Sequence, residues 1–250
     1  MSSATTPTRS TERRRVLVTG GTRGIGRAIA WEFARRGAEV LLNYRRDEDR
    51  AGEAADAFAA AGYRVSTLRA DVTNEDDVSR LVEEAEREGP VETWVNNVGS
   101  FHFKPLDETS PQEWDATVRS NLTSAFLCSR AILPHMRARR SGQIVNVASL
   151  NAEVLRAKPK TLPYAIAKAG IVLLTKTLAS TEAKHGIRVN AVAPGFVETG
   201  EFPPDDVQRT VPLGRLAEAE EIAKAVAFLT SEDASYITGA ILNVHGGALL

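Results

Sequence analysis

Short runs of branched and aliphatic residues alternate along this chain with longer stretches whose apolar positions recur every three to four residues. Val16-Leu17-Val18 reads as a buried strand, and Gly24 to Arg36 as a helix closed by Gly37. Val40-Leu41-Leu42 is the second strand, followed by an Ala-rich helix from Asp49 to Ala61 that stops at Gly62. Arg64 to Ala70 is the third strand, and Asn74 caps a helix that ends near Gly89-Pro90. The remaining strands are Thr93 to Asn96, Gln143 to Ala148, Ile187 to Val192 and Ile241 to Val244. Between them lie helices from Ser110-Pro111 to Arg140, from Pro163 to Lys184 and from Glu218 to Thr230. This strict alternation predicts an α/β fold: a doubly wound parallel sheet of about seven strands, helices on both faces, with ligands at the C-terminal strand ends. No linker or repeat interrupts it, so residues 15–250 are expected to form a single domain. The Ser- and Thr-rich residues 1–14 are expected to form a disordered tail.

Composition narrows the class. The chain has 250 residues, one Cys and a formal net charge of −1. A lone Cys cannot make an internal disulfide, which points to a reducing, cytoplasmic setting. A near-neutral charge gives no field for nucleic acid or anionic membrane. No uninterrupted apolar run approaches the ~18–20 residues of a membrane span.

The first strand runs into Thr19-Gly20-Gly21-Thr22-Arg23-Gly24-Ile25-Gly26 and then a helix. Glycines there let the backbone approach a pyrophosphate, and the helix N-terminus offers unpaired N–H groups. A structural turn is the alternative; the position between first strand and first helix favours a dinucleotide. The second strand ends in Asn43-Tyr44-Arg45-Arg46, without the acidic residue that usually accepts from a ribose 2′-hydroxyl. Arg45 and Arg23 suit a 2′-phosphate instead, so NADP(H) is expected over NAD(H); two solvated surface arginines are the alternative.

Tyr164 and Lys168 stand four apart at the start of a helix, on one face, and Ser149 follows the fifth strand. Reduction of a ketone needs a hydride for carbon and a proton for oxygen. A phenol beside an ammonium can supply that proton or, as phenolate, accept one, and the Ser149 hydroxyl can donate to the carbonyl oxygen.

In these motifs, and in Asp71-Val72, Asn96-Asn97-Val98-Gly99, Asn121 and Pro194-Gly195-Phe196-Val197-Glu198-Thr199, the chain resembles the short-chain dehydrogenase/reductase family over residues 15–250. Val211-Pro212-Leu213-Gly214-Arg215 and Tyr236-Ile237-Thr238-Gly239 are most like 3-oxoacyl-[acyl-carrier-protein] reductases, though sugar and polyol dehydrogenases share them. The resemblance implies a Rossmann-type fold and a catalytic set of Asn121, Ser149, Tyr164 and Lys168. It implies that Asp71 and Val72 line the adenine pocket and that Asn97 sits beside the adenosine ribose, while Asn96 braces its strand. It implies that Asn121 holds a water leading to Lys168, that Lys168 also bonds the nicotinamide ribose, and that Val197 and Thr199 contact the carboxamide. With Gly20, Thr22, Arg23, Gly24, Ile25, Gly26, Arg45 and Tyr164, these residues form the expected cofactor site. Similar proteins pair long helices and C-terminal strands, which implies a homotetramer or homodimer.

Three features depart from the family pattern. Val98 stands where Ala is usual. Ser149 precedes Tyr164 by fifteen residues, so the loop from Leu150 to Pro163, carrying Glu153, Arg156, Lys158 and Lys160, is enlarged. The lid segment between Thr199 and Pro212 is short. Both length changes fall on substrate-recognition elements. Cys128 is expected to be buried, and the four histidines lack metal-ligand spacing. His102 reads as a rim loop residue or a substrate contact. Arg137, Arg139 and Arg140 suit a helix C-terminus or an acidic carrier protein.

The expectation is an oxidoreductase that interconverts a ketone and a secondary alcohol with NADP(H). Its substrate is a small molecule or a carrier-protein or CoA thioester, with no metal, nucleic acid or membrane. The alternatives are an NAD(P)-dependent sugar, polyol or cyclic-ketone dehydrogenase and a non-catalytic NADP(H)-sensing protein.

Overall fold

The central strands are buried on both faces because helices cover both sides of the sheet, whereas the edge strand over Val65–Arg69 leaves Ser66 and Arg69 exposed. The strands are β1 (Arg15–Val18), β2 (Glu39–Tyr44), β3 (Val65–Arg69), β4 (Val91–Asn96), β5 (Gly142–Val147), β6 (Ile187–Pro194) and β7 (Ile241–Val244). In this computed structural model, which describes residues 14–154, 156–198 and 210–248, all pairings are parallel in the order β3-β2-β1-β4-β5-β6-β7. The expected N-terminal tail except Arg14, most of the short lid, Thr199 and Leu249-Leu250 lie outside the described residues. The helices are α1 (Gly24–Arg35), α2 (Glu48–Ala60), α3 (Glu75–Glu86), α4 (Pro111–Val118), α5 (Ser124–Arg139), α6 (Leu162–Glu182) and α7 (Ala219–Leu229).

The two-residue period of β1 divides the core. Val16 and Val18 pack with Ile29 and Phe33 of α1 and with Ile222 and Val226 of α7. Leu17 points the other way, among Leu81 of α3 and Ile132 and Met136 of α5. Each large side chain buried this way contributes roughly 1.5–3 kcal/mol. Local chemistry sets the helix starts: Asn74 accepts from the Asp77 N–H at 3.0 Å, and Ser110 with Glu113 closes a capping box. Arg15 begins β1 as a buried cation. It pairs with Glu39 at 3.0 Å and donates to the Ala85 carbonyl at the end of α3 at 2.7 Å.

One sequence expectation needs correction. The helix expected without interruption from Ser110 to Arg140 is broken by a π-helical turn over Arg119–Thr123, which separates α4 from α5. Asn121 sits in that turn, and its Nδ2 donates to Ser100 O at 2.8 Å and to Thr117 O at 3.0 Å. A side-chain bond to the backbone four residues back accompanies the widened turn. Leu162–His185 is long and apolar enough, at mean hydropathy 1.3, to meet the length and composition of a membrane span. Counting uninterrupted apolar runs misses it because Lys168, Thr175 and Lys176 interrupt the run. One of its faces packs on the sheet, with Ile171 and Thr175 buried.

The arginines at the end of α5 are engaged within the chain. Arg137 makes a two-pronged contact with Glu182, 2.7 Å on each arm, and Arg139 holds Glu86 at 3.0 Å. Arg140 donates to Lys184 O at 2.9 Å. The positive charge read as a carrier-protein contact is thus largely met by Glu182 and Glu86. Glu182 is 3% exposed, so removing its partner strands a buried carboxylate. Arg137→Ala is expected to cost about 2 kcal/mol in urea denaturation at pH 7, the half-exposed arginine keeping the loss below that of a fully buried pair. The pair holds the Glu182 carboxyl below its ordinary value, chiefly through the Arg137 hydrogen bonds. Its stabilisation is therefore present at neutral pH and lost as pH falls through the folded pKa, and the difference between variant and parent should shrink in acid.

Candidate active site

The strand order reverses between β1 and β4, and the chain leaves both strands there in turns that must coexist. After β1, a Cβ on Gly26 would collide with the Gly20 carbonyl oxygen and lie 2.5 Å from Asn97 Nδ2, so only glycine fits. Asn97 clamps the turn: its Nδ2 donates to Thr19 O at 2.9 Å, and its N–H donates to Thr19 Oγ1 at 2.9 Å. Arg23 is the N-cap of α1 and makes no side-chain capping bond. A Cβ at Gly24 would meet nothing within 4 Å. Open space before a helix start without a side-chain cap fits the pyrophosphate of a dinucleotide.

This turn opens into a cavity of about 850 Å³. Gly20, Arg23, Gly24, Ile25, Gly26 and Asn97 line one end. Asn121, Ser149, Tyr164, Lys168 and Val197 line it as well, so elements from six parts of the chain converge there. Thr22 is buried beneath the turn, and Val72 packs in the core with Leu68 and Leu81. Arg45 and Asp71 meet outside the cavity wall, with 3.5 Å between Arg45 Nη1 and Asp71 Oδ2. The other Asp71 oxygen accepts from Thr73 N and Oγ1 at 3.0 and 2.7 Å. Burial raises the Asp71 pKa, but the Thr73 bonds and the Arg45 charge outweigh it and hold the carboxyl below its ordinary value. Thr199 lies outside the described residues.

Lys168 is 5% exposed, and its Nζ donates to Val147 O at 2.7 Å. Burial pushes its pKa down to about 8. The same Nζ lies 5.6 Å from the centroid of the Tyr164 ring, one helical turn back on α6. Phe101 meets that ring edge-on, with centroids 5.0 Å apart at 90°. On the far side, a Cβ at Gly99 would collide with Asn121 Oδ1 and lie 3.5 Å from Lys168 Nζ. Asn121 Oδ1 is buried and accepts no hydrogen bond from the protein. The site therefore holds an acceptor and a cation together beside Gly99, in the cavity that Tyr164 and Ser149 also line.

A buried polar chain holds these elements in place. Trp94 Nε1 donates to Asn96 Oδ1 at 3.0 Å, Asn96 Nδ2 to Asn146 Oδ1 at 2.8 Å, and Asn146 Nδ2 to Thr175 Oγ1 at 2.9 Å. It joins β4, which leads to Asn97, to β5, which leads to Ser149, and to α6. Asn96 does brace its strand. Asn146 and Thr175 were missed, although a polar residue inside the apolar run Ile144-Val145-Asn146-Val147 is the signal that could have found it. Asn151 was also missed. It lines the cavity two residues after Ser149, in left-handed backbone (φ 57°), and its Nδ2 is buried without a partner. Cys128 is buried, and burial pushes its thiol pKa up, consistent with a packing role. His102 is exposed beside Lys104, Glu113 and Tyr164 in a small separate pocket.

A family model described as enoyl-(acyl carrier protein) reductase matches residues 20–248. The chain is 43% identical over 242 residues to a cis-4-hydroxycyclohexanecarboxylate dehydrogenase of Sinomonas cyclohexanicum, covering 94% of this chain and 96% of that one. It is 40% identical over 241 residues to a 3-oxoacyl-[acyl-carrier-protein] reductase of Haemophilus influenzae, covering 94% and 97%. A solved structure from Agrobacterium tumefaciens, described as a candidate gluconate dehydrogenase, superposes with a TM-score of 0.88 at 34% identity, covering 94% and 95%. With the sheet order and the glycine turn, these likenesses place the chain in the short-chain dehydrogenase/reductase family, oxidoreductases that act on CH–OH and C=O groups.

Proposed function

We propose that this protein reduces a ketone to a secondary alcohol, or runs the reverse reaction, with NADP(H). The observation that carries the reading is the convergence of Ser149, Tyr164, Lys168 and Asn121 on the cavity into which the glycine turn opens. The turn, the start of α1 and Asn97 hold the dinucleotide, and Lys168 bonds its nicotinamide ribose. The bound nicotinamide supplies a hydride to the carbonyl carbon. Ser149 donates to the carbonyl oxygen and fixes its position. Tyr164 gives its proton to that oxygen as the alcohol forms and takes one back in the reverse direction. The buried ammonium of Lys168 favours the phenolate left behind. Asn121 Oδ1 provides an acceptor on the route by which that proton is replaced.

The preference for NADP(H) rests on Arg45 and Arg23. Arg45 is half-exposed beyond β2, and the nearby carboxylate, Asp71, already accepts from Thr73 and pairs with Arg45. Arg45→Asp is expected to lower the ratio of kcat/KM for NADPH over NADH at least about tenfold, the scale of one charge-assisted hydrogen bond. Steady-state assays with both cofactors and a panel of ketones check this. An unchanged ratio removes the argument from β2, and a panel in which no ketone is reduced removes the reading as a whole.

Among substrates, 3-oxoacyl thioesters are one reading. The names of the Sinomonas relative and the Agrobacterium structure favour a second, a cyclic hydroxy acid or a sugar acid. The protein acts as an oligomer of identical chains in this proposal, because Phe126 of α5 and Leu173 of α6 leave 44% and 68% of their surface exposed.

A further inference from the structure

We infer that the substrate half of this cavity selects a ketone or secondary alcohol bearing a carboxylate, with Arg156 and Lys158 as its counter-charges and Asn151 as a positioning donor. The inference rests on the oxidoreductase reading and adds the substrate class and the residues that choose it.

The charge around the cavity is one-sided. Among the described residues its lining contains Arg23, Arg156, Lys158 and Lys168 and no Asp or Glu. Arg23 belongs to the glycine turn and Lys168 to the catalytic set, which leaves Arg156 and Lys158 for the substrate. Both sit on the enlarged loop after Ser149. The loop's other charges are engaged elsewhere: Glu153 pairs with Lys176 at 3.3 Å, and Lys160 lies 5.3 Å from the centre of the Phe103 ring. Among the described residues, neither Arg156 nor Lys158 has an ion-pair partner. Cations lining a low-dielectric wall attract an anion and penalise a neutral analogue less well matched to them.

The loop is held where it can act. Lys104 N donates to Lys160 O at 2.7 Å, tying it to the segment that carries Phe101 and Phe103. Phe101, Phe103, Val154 and Ile166 are all more than a third exposed to solvent, and all four line this cavity. An apolar wall with two cations suits a compact hydrocarbon frame ending in an anion. Asn151 adds an orphan donor to the same wall. A buried N–H without a partner is destabilising, and a ligand oxygen accepting from it relieves that cost.

The test uses matched pairs of oxo acid and oxo amide, equal in shape and different in charge: 4-oxocyclohexanecarboxylate, acetoacetate and levulinate with their carboxamides. The full-length enzyme is assayed with NADPH. At least one acid is expected to exceed its amide at least tenfold in kcat/KM. Arg156→Gln with Lys158→Gln should collapse that ratio towards one. Asn151→Gly, which tolerates the left-handed backbone while deleting the amide, should lower it severalfold. Lys224→Gln, an exposed cation on α7, should leave the ratio unchanged and so controls for net charge. Amides reduced as well as acids by the parent enzyme would overturn this inference and leave the oxidoreductase reading standing, whereas no reduction of any ketone would overturn both. A further arm compares acetoacetyl-CoA with the phosphate-free N-acetylcysteamine thioester. A charge preference confined to the CoA arm would overturn the carboxylate assignment in favour of a carrier phosphate.

Discussion

Tyr164→Phe is expected to lower kcat for NADPH-dependent ketone reduction by about 10³-fold or more while leaving NADPH affinity within about threefold. A positioned general acid contributes typically 10²–10⁴-fold, and a thousandfold corresponds to about 4 kcal/mol of barrier. Phenylalanine preserves the ring and therefore its edge-on contact with Phe101 and its place 5.6 Å from Lys168 Nζ. Only the O–H is lost, so folding and the glycine turn are untouched. Circular dichroism should superpose on that of the parent, and NADPH titration by fluorescence should give a similar Kd. Turnover above a tenth of the parent's would mean that another group delivers the proton.

Lys168→Met is expected to separate stability from activity. Its kcat/KM should fall by about 10²-fold or more, because the cation beside the phenol is gone. The ligand-free protein should nonetheless become more stable at pH 7, by about 1–3 kcal/mol, since methionine removes a charge that burial disfavours at the loss of one bond to Val147 O. The pH dependence carries the sign. Burial holds Lys168 at about pKa 8 in the folded chain, against about 10.4 for a lysine in water. Between these values the unfolded chain keeps a proton that the folded chain has released, so this group's contribution to stability rises with pH, by up to about 1.4 kcal/mol per pH unit. Urea denaturation of parent and variant from pH 7 to 10 should show the variant's advantage shrinking as pH rises. A variant less stable than its parent at pH 7 would contradict the burial argument. The same depression predicts that kcat/KM for reduction declines above pH 8 in the parent as Lys168 loses its charge.

Much of the architecture was legible because it depends on near neighbours. Val16-Leu17-Val18 announces a strand buried on both faces, and Asn74 and Ser110 announce helix starts, since each pattern is complete within a few residues. Tyr164 and Lys168 could be placed on one face of a helix for the same reason. The break in the helix at Asn121 was not legible. Residues 111–139 read as continuous helix, and the bond that accompanies the break goes to Ser100, in a different loop. The motifs therefore pointed to side chains that meet in one cavity, and part of the cavity wall went unread. Phe101 against Tyr164 and the orphan amide of Asn151 were in that unread part, because neither residue belongs to a spacing motif.

What the chain determined alone is the order of its elements, the parallel sheet that order requires and the glycine turn between β1 and α1. These rest on residue period, turn chemistry and the handedness of crossovers, all set over short stretches of chain. The tertiary structure alone decided that Arg45 would lie against Asp71, that Glu182 would take up the charge of Arg137, and that Arg156 and Lys158 would line the cavity containing Tyr164. Those relations join residues separated by up to 45 positions, as in the Arg137–Glu182 pair. They exist only once strand register and helix packing have fixed which side chains meet. Charge and hydrogen bonding act through space, and a local window of sequence contains no distances between such residues.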